Sequence, residues 1–303
     1  MSEDPNEYIK KYLNENEHEN GNNSSNYESY ETEKNKDLGS SKELQYISID
    51  IEELPLKDFY PAGSSVFVRA AKVSEIQSFS MVDDKNFYDI YEKVNKMVAS
   101  CVFIKTPDGR KLPYTHLVDG DRWYLLFAIR ELTFQKGNEL FVESDGTNIP
   151  LKRSNFEFYE MDDKLSEYYD KTNGKFIFKT KHLGDVEMAP PTIGLQKSFS
   201  DYAVKQIQNK KDIDKSFMKI IPYTLPGRTS ITEEGIDKKM KEFKNMDNDM
   251  FQFLNGAVEK MKFGIKGVKT IDENGREVHS QNIFPTGISG LFVQPDTFDD
   301  FLI

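Results

Sequence analysis

The ten residues from Trp123 to Leu132, WYLLFAIREL, most constrain what this chain can fold into. They are apolar almost all round. A helix apolar on every side must be enclosed by other elements, so the segment predicts a central helix. Just upstream, HLVDGDR supplies its start. Asp119 is read as the N-cap, and Asp121 falls in the first turn, where a carboxylate opposes the helix dipole. Arg122 and Arg130 lie eight positions apart on roughly one face. The expectation is that each reaches the surface along its aliphatic stem or pairs with a carboxylate. His116 and Asp119 beside Arg122 form the one cluster that looks like a reaction centre. Helix capping explains it with fewer assumptions.

Around that helix the pattern reads as α+β. Ile47, Ile49 and Ile51 alternate with polar residues, and Val66–Ala70 follows a Pro-Ala-Gly turn, which predicts an antiparallel hairpin. Ser74 and Gln77 carry the spacing of a capping box. Phe87, Ile90, Tyr91, Val94, Met97, Val98 and Cys101 repeat at helical intervals, with Cys101 as a small core filler. ELFVESDGTNIPL predicts a hairpin on a Ser-Asp-Gly turn. NFEFYEM and GKFIFKT predict strands flanking a short helix near Leu165–Tyr169. MAPPTIGL reads as a linker. Beyond it lie four short helices, with Thr232 as an N-cap and Gly264 as a helix stop. VKTIDENGREVHS predicts a last hairpin turning at Asn274-Gly275.

The resulting division is 1–45 an acidic tail, 46–185 an α+β domain, 186–195 a linker, 196–264 a helical domain, and 265–303 a C-terminal hairpin and tail. The tail stands apart in composition. It has 11 acidic and 5 basic residues and no Phe, Val or Trp, so it carries −6 of the net −11 charge. Such a segment buries too little apolar surface to offset its ordering entropy and is expected to be disordered. Tyr8, Ile9, Tyr12 and Leu13 would share one face of a short helix and could fold onto a partner. At the other end, Phe298, Phe301 and Leu302 are apolar anchors on an acidic strip.

Few residues stand at spacings that support chemistry. One cysteine permits neither an intrachain disulfide nor a multi-cysteine metal site. The four histidines, His18, His116, His182 and His279, lack partners at metal-ligand spacing. There is no glycine-rich phosphate loop. Asp272, Asn274 and Gly275 echo a calcium loop, but the glycine comes too early and the closing glutamate is missing. An acidic chain without a basic block is a poor nucleic-acid binder. No apolar run is long enough to span a bilayer, and residues 1–20 lack the apolar stretch of a secretion signal.

One ordered set of features does resemble a known family. Leu54-Pro55 and Tyr60-Pro61 form a turn, Val66–Arg69 a strand ending in arginine, and Glu75 lies in a helix start. Asp121, Arg122, Trp123, Tyr124, Leu125, Leu126 and Arg130 then give an Asp-Arg-aromatic-Leu-Leu helix. The set is similar to T-even-type phage baseplate-hub and tail-assembly proteins, well over about residues 50–170 and more loosely over about 195–303. The resemblance implies a non-enzymatic component of a tail baseplate hub, located in the virion tail and in host cytoplasm during assembly. Its partners would be other baseplate, hub or tape-measure proteins, with no nucleic acid, membrane or cofactor. Asp121, Arg122, Trp123 and Arg130 would be structural or docking residues. Tyr8, Ile9, Tyr12, Leu13, Phe298, Phe301 and Leu302 would engage partners. Many relatives carry Cys-x-x-Cys pairs in the hairpins. Here FVESDGTNIPL and VKTIDENGREVHSQNIF have none, so no metal is expected, and apolar pairs such as Phe141 with Ile149 or Leu151 must hold them. The alternatives are a transient chaperone for hub or tape-measure proteins, a tail-associated wall hydrolase, and a binding module unrelated to phage.

Overall fold

The computed structural model describes residues 45–134, 140–180 and 184–292. Tyr8, Ile9, Tyr12, Leu13, His18, His182, Phe298, Phe301 and Leu302 lie outside them. The fold is α+β, with several small sheets and eight α-helices among the described residues. Ala203–Ile213 belongs to a compact unit separate from Leu44–Tyr202 and Asp214–Ile303. It holds the last turns of a helix ending at Gln208 and a left-handed Lys210 at φ 54°.

Within the larger unit, the first core begins with a four-stranded antiparallel meander. β1 (Ile47–Asp50) pairs with β2 (Ser65–Val68), which pairs with β3 (Val102–Lys105), which pairs with β4 (Lys111–Pro113). Ile49 faces Val66, and Val66 faces Ile104; all three are buried, so one sheet face is committed to the core. Between β2 and β3 run α1 (Val73–Ser80) and α2 (Phe87–Cys101). α2 is capped by Asn86, whose side chain accepts from Tyr88 N and Asp89 N. Of the expected stripe it buries Tyr91, Val94, Met97, Val98 and Cys101, whereas Ile90 is half-buried and Phe87, in the first turn, is exposed. α1 starts one residue before Ser74, and the carboxylate reaching back belongs to Glu75, which accepts from Lys72 N at 2.7 Å. Gln77 lies two residues too late for that role.

The central helix is α3 (Arg122–Thr133), with Tyr124 through Arg130 buried without interruption. Phe127 is wholly enclosed, with ring centroids 4.8 Å from Phe156 and 5.7 Å from Phe284. Each such side chain contributes about 1.5–3 kcal/mol by leaving water. β5 (Phe141–Ser144) and β6 (Thr147–Pro150) form the expected hairpin. Asp145 and Gly146 both take positive φ, the geometry of a tight hairpin turn. The register differs from the expected pairing: Val142, not Phe141, faces Ile149, and Phe141 faces Pro150 and is exposed. A one-residue shift exchanges the faces of a strand, and the turn fixed it.

The second core takes the middle of the chain. α4 (Asp163–Ser166), β8 (Tyr169–Asp170), β9 (Lys175–Thr180) and β10 (Gly184–Met188) precede α5 (Ile193–Gln208). α6 (Lys215–Ile220), α7 (Glu233–Lys244) and α8 (Asn248–Lys260) follow. Phe176, Met188, Leu195, Ile220, Ile221 and Ile236 form its enclosed centre. Thr232 caps α7 as expected, accepting from Gly235 N at 3.2 Å.

The chain then returns to the first core. β11 (Ile265–Ile271) pairs with β12 (Glu277–Ser280) on one side and with β7 (Phe156–Phe158) on the other. Val268, Val278, Leu291 and Phe292 are buried with α3. The segment read as a linker is not one. Met188 ends a strand, Ala189 is buried and donates to Tyr223 O, Thr192 bridges to Val118, and Ile193 opens α5. Prolines there end β10 without detaching it. Gly264 is not the helix stop either: α8 ends at Lys260 with Met261 as its cap. Gly264 sits at φ 95°, and a Cβ there would lie 2.9 Å from Gly120 O. It is required where the chain passes the start of α3.

Candidate functional site

The charged residues of HLVDGDR gather at the start of α3. Asp119–Asp121 forms a single 3-10 turn, and the α-helix begins at Arg122. Asp119 is not the N-cap that the sequence predicts: the residue before the helix is Asp121, expected in the first turn, and its side chain makes no cap bond. The carboxylate is taken elsewhere. Asp121 is 0% exposed; Oδ1 accepts from Leu56 N at 2.9 Å and Oδ2 from Tyr60 OH at 2.7 Å. The Tyr60 hydroxyl in turn accepts from Val118 N at 2.9 Å. One buried carboxylate therefore pins the Leu54–Pro61 turn to the entrance of the central helix.

Burial pushes the Asp121 carboxyl up to about 7, against the two hydrogen bonds that favour its ionised form; the neighbouring Asp119 adds to the rise. Burial also raises the Asp119 carboxyl, opposed by Arg122. The Tyr60 hydroxyl is raised well above its ordinary value by burial and by Asp121. The phenol thus stays protonated and serves as a donor.

Arg122 does not reach solvent and takes the other expected role, pairing with a carboxylate. Its guanidinium carbon lies 4.2 Å from the Tyr91 ring centroid, its Nη2 is 3.2 Å from Asp119, and its Nη1 donates to Asn95 Oδ1 at 3.3 Å. It bolts α3 to α2. Arg130 is also buried, and its Nε donates to Leu291 O at 2.8 Å, across 161 residues. Burial lowers its pKa, partly offset by Glu131. Trp123 is half-buried, edge-on to Phe284 at 5.2 Å.

A third pair completes the pattern. Arg69 at the end of β2 makes two bonds to Glu75, at 2.6 and 2.9 Å, and donates to Ser100 O at 2.7 Å. Burial alone would raise the Glu75 carboxyl, but the Arg69 fork and Lys72 N hold it below the usual range. The Cys101 Sγ lies 3.6 Å from Glu75, and burial pushes its thiol up to about 12, which disfavours the thiolate.

Beside Asp119 and Trp123 a cleft of about 490 Å³ opens towards Tyr223, Lys219 and Glu259. Lys219 and Glu259 pair with each other across its wall. Asp119 is its one carboxylate lacking a lysine partner, and it pairs with Arg122. The wall offers surface to an anchor side chain and no matched acid and base. No group of three or more His, Cys, Asp or Glu able to hold a metal occurs among the described residues. His279 pairs with Glu157 at 2.8 Å, and Asp272 spends its carboxylate on the turn, accepting from Asn274 N and Arg276 N. No helix among the described residues is long and apolar enough to cross a membrane.

Compared with family models, with curated proteins and with solved structures, the chain matches none of them.

The Tyr60 bond gives a direct test of the clamp. Tyr60→Phe strands Asp121 Oδ2 and Val118 N in a buried position, which costs about 1–3 kcal/mol. Urea unfolding followed by the fluorescence of Trp123, the chain's single tryptophan, should show a midpoint shifted down. An unchanged midpoint would mean the hydroxyl is not part of the clamp.

Proposed function

We propose that this chain is a structural or assembly component of a phage tail baseplate hub, acting by protein–protein recognition without catalysis. One observation carries the reading. The residues behind the family resemblance are joined in space by buried and part-buried hydrogen bonds: Leu56 and Tyr60 of the Leu-Pro…Tyr-Pro turn to Asp121, and Arg69 to Glu75. Arg122 and Arg130 are likewise spent on Asp119, Asn95 and Leu291. A set of charges kept for holding elements together supports a building part over a reaction centre. Recognition then falls to the surface, by apolar anchors with charged rims.

Mass spectrometry of purified tails and of tail-assembly intermediates tests this. The chain is expected in at least one of them. Presence in finished tails marks a permanent part, and presence only in intermediates marks a transient chaperone. Absence from both, or clearing of a cell-wall zymogram by the purified chain, would overturn the proposal.

A further inference from the structure

A second concave surface lies on the other core, remote in sequence from the α3 cluster. It is a pocket of about 410 Å³ between α4, β9 and α8. That size falls within the roughly 300–1,000 Å³ typical of ligand pockets. Its floor is aromatic. Phe178 meets Tyr168 at 5.1 Å and Phe253 edge-on at 5.3 Å. Phe178 is buried, whereas Tyr168 and Phe253 are 45% and 36% exposed.

Its rim is cationic. Lys164, Lys179 and Lys260 border the pocket and are exposed, and none has an ion-pair partner within 4 Å among the described residues. No carboxylate lines the pocket among the described residues. Three ammonium groups thus surround one apolar floor in a chain of net charge −11, with no carboxylate among them. Three other lysines of this core do have carboxylates: Lys175 pairs with Glu187, Lys219 with Glu259, Lys239 with Glu242.

An independent feature keeps the pocket open. Gly256 lies in the middle of α8 and lines it. A mid-helix glycine costs about 1 kcal/mol relative to alanine. Nothing lies within 4 Å of where its Cβ would be, so no close packing demands it. It leaves room for a side chain arriving from outside.

We propose that this pocket receives the acidic aromatic segment Asp296–Leu302 of this chain, DTFDDFL, from the same or a second copy. The match is one of charge and shape. Asp296, Asp299 and Asp300 meet the three lysines, and Phe298 or Phe301 enters over Tyr168, Phe178 and Phe253. Ring-on-ring contact supplies the anchor, and the charges set the register. The inference does not depend on the baseplate reading.

The test uses the full chain with a photo-crosslinking benzoylphenylalanine in place of Phe253. After irradiation, crosslinked peptides are identified by mass spectrometry. The expected product joins position 253 to 296–302. Its yield should fall about tenfold in K164E/K179E/K260E and in Gly256→Leu, each checked for an unchanged far-UV spectrum and unfolding midpoint. Adding D296K/D299K/D300K to the lysine-reversed chain should restore it. Mixing light and heavy-isotope chains separates crosslinks within one copy from those between two. Crosslinks to any other segment or to another protein, no crosslink at all, or a yield indifferent to both lysine reversal and Gly256→Leu would overturn the proposal.

Discussion

Arg130→Ala is expected to lower the stability of the chain by about 3–4 kcal/mol. Arg130 is 4% exposed, and its guanidinium donates to Leu291 O, the carbonyl that fastens the returning C-terminal segment to α3. Its loss removes a charge-assisted hydrogen bond worth about 1.5–3 kcal/mol. It also leaves a buried carbonyl unpaired and empties the volume beside Phe134, whose ring lies 5.4 Å away. With roughly 2–4 °C per kcal/mol for a domain of this size, the melting temperature should drop by about 6–16 °C. Arg130→Lys keeps a donor and should lose less. Thermal unfolding followed by Trp123 fluorescence measures both. A surface docking arginine would leave the melting temperature where it was and affect only complex formation.

The second large effect is a dependence of stability on pH that one substitution removes. Asp121 titrates near 4 when unfolded and at about 7 in the fold. The folded state therefore binds this proton more tightly than the unfolded chain. Its contribution is fully present below pH ~4 and is lost as pH rises to 7, a swing of up to about 4 kcal/mol. Carboxylates held low, such as Glu75, act in the opposite direction, so the readout is the difference between two proteins. Asp121→Asn is neutral throughout. Relative to it, the native chain should lose stability from pH 4.5 to about pH 7 and level off above it in urea titrations. Parallel curves for the two would show that Asp121 is ionised in the fold throughout that range.

Both effects rest on contacts that a sequence does not display. Local structure was legible where one residue type forces one geometry. The α2 stripe, the Asp145-Gly146 and Asn274-Gly275 turns, the Thr232 cap and the enclosed α3 all follow from spacing and turn chemistry. The α+β class followed from the same patterns. The site was half legible. The charges on α3 stood out because an apolar helix has few reasons to keep them. Their partners did not, because Asp121 meets Leu56 and Tyr60 across more than 60 residues and Arg130 meets Leu291 across 161. Capping offers a nearby carboxylate a plausible local use, and that local use hides the distant one. Periodicity likewise shows that a strand has a buried face without saying which core covers it. Hence nothing in the two strand patterns shows that β7 and β9 lie in different sheets, or that β11 returns to β7 over the whole second core. Prolines at 190 and 191 gave a linker signal because they end a strand; only burial shows that the chain there is held on both sides.

The lysine-rimmed pocket was missed for a related reason. Lys164, Lys179 and Lys260 are spread over nearly 100 residues, and each alone is an ordinary surface lysine. Gly256 was the one available signal, a glycine inside a strongly amphipathic helix.

Co-expression of the full chain with the hub and tape-measure proteins of one tail, followed by affinity purification, tests the central claim most directly. The account predicts that at least one of those proteins is recovered in fixed stoichiometry. It also predicts that Arg130→Ala reduces recovery only in proportion to its loss of folded protein. Recovery of the chain alone, while the other proteins are soluble in the same cells, would contradict it.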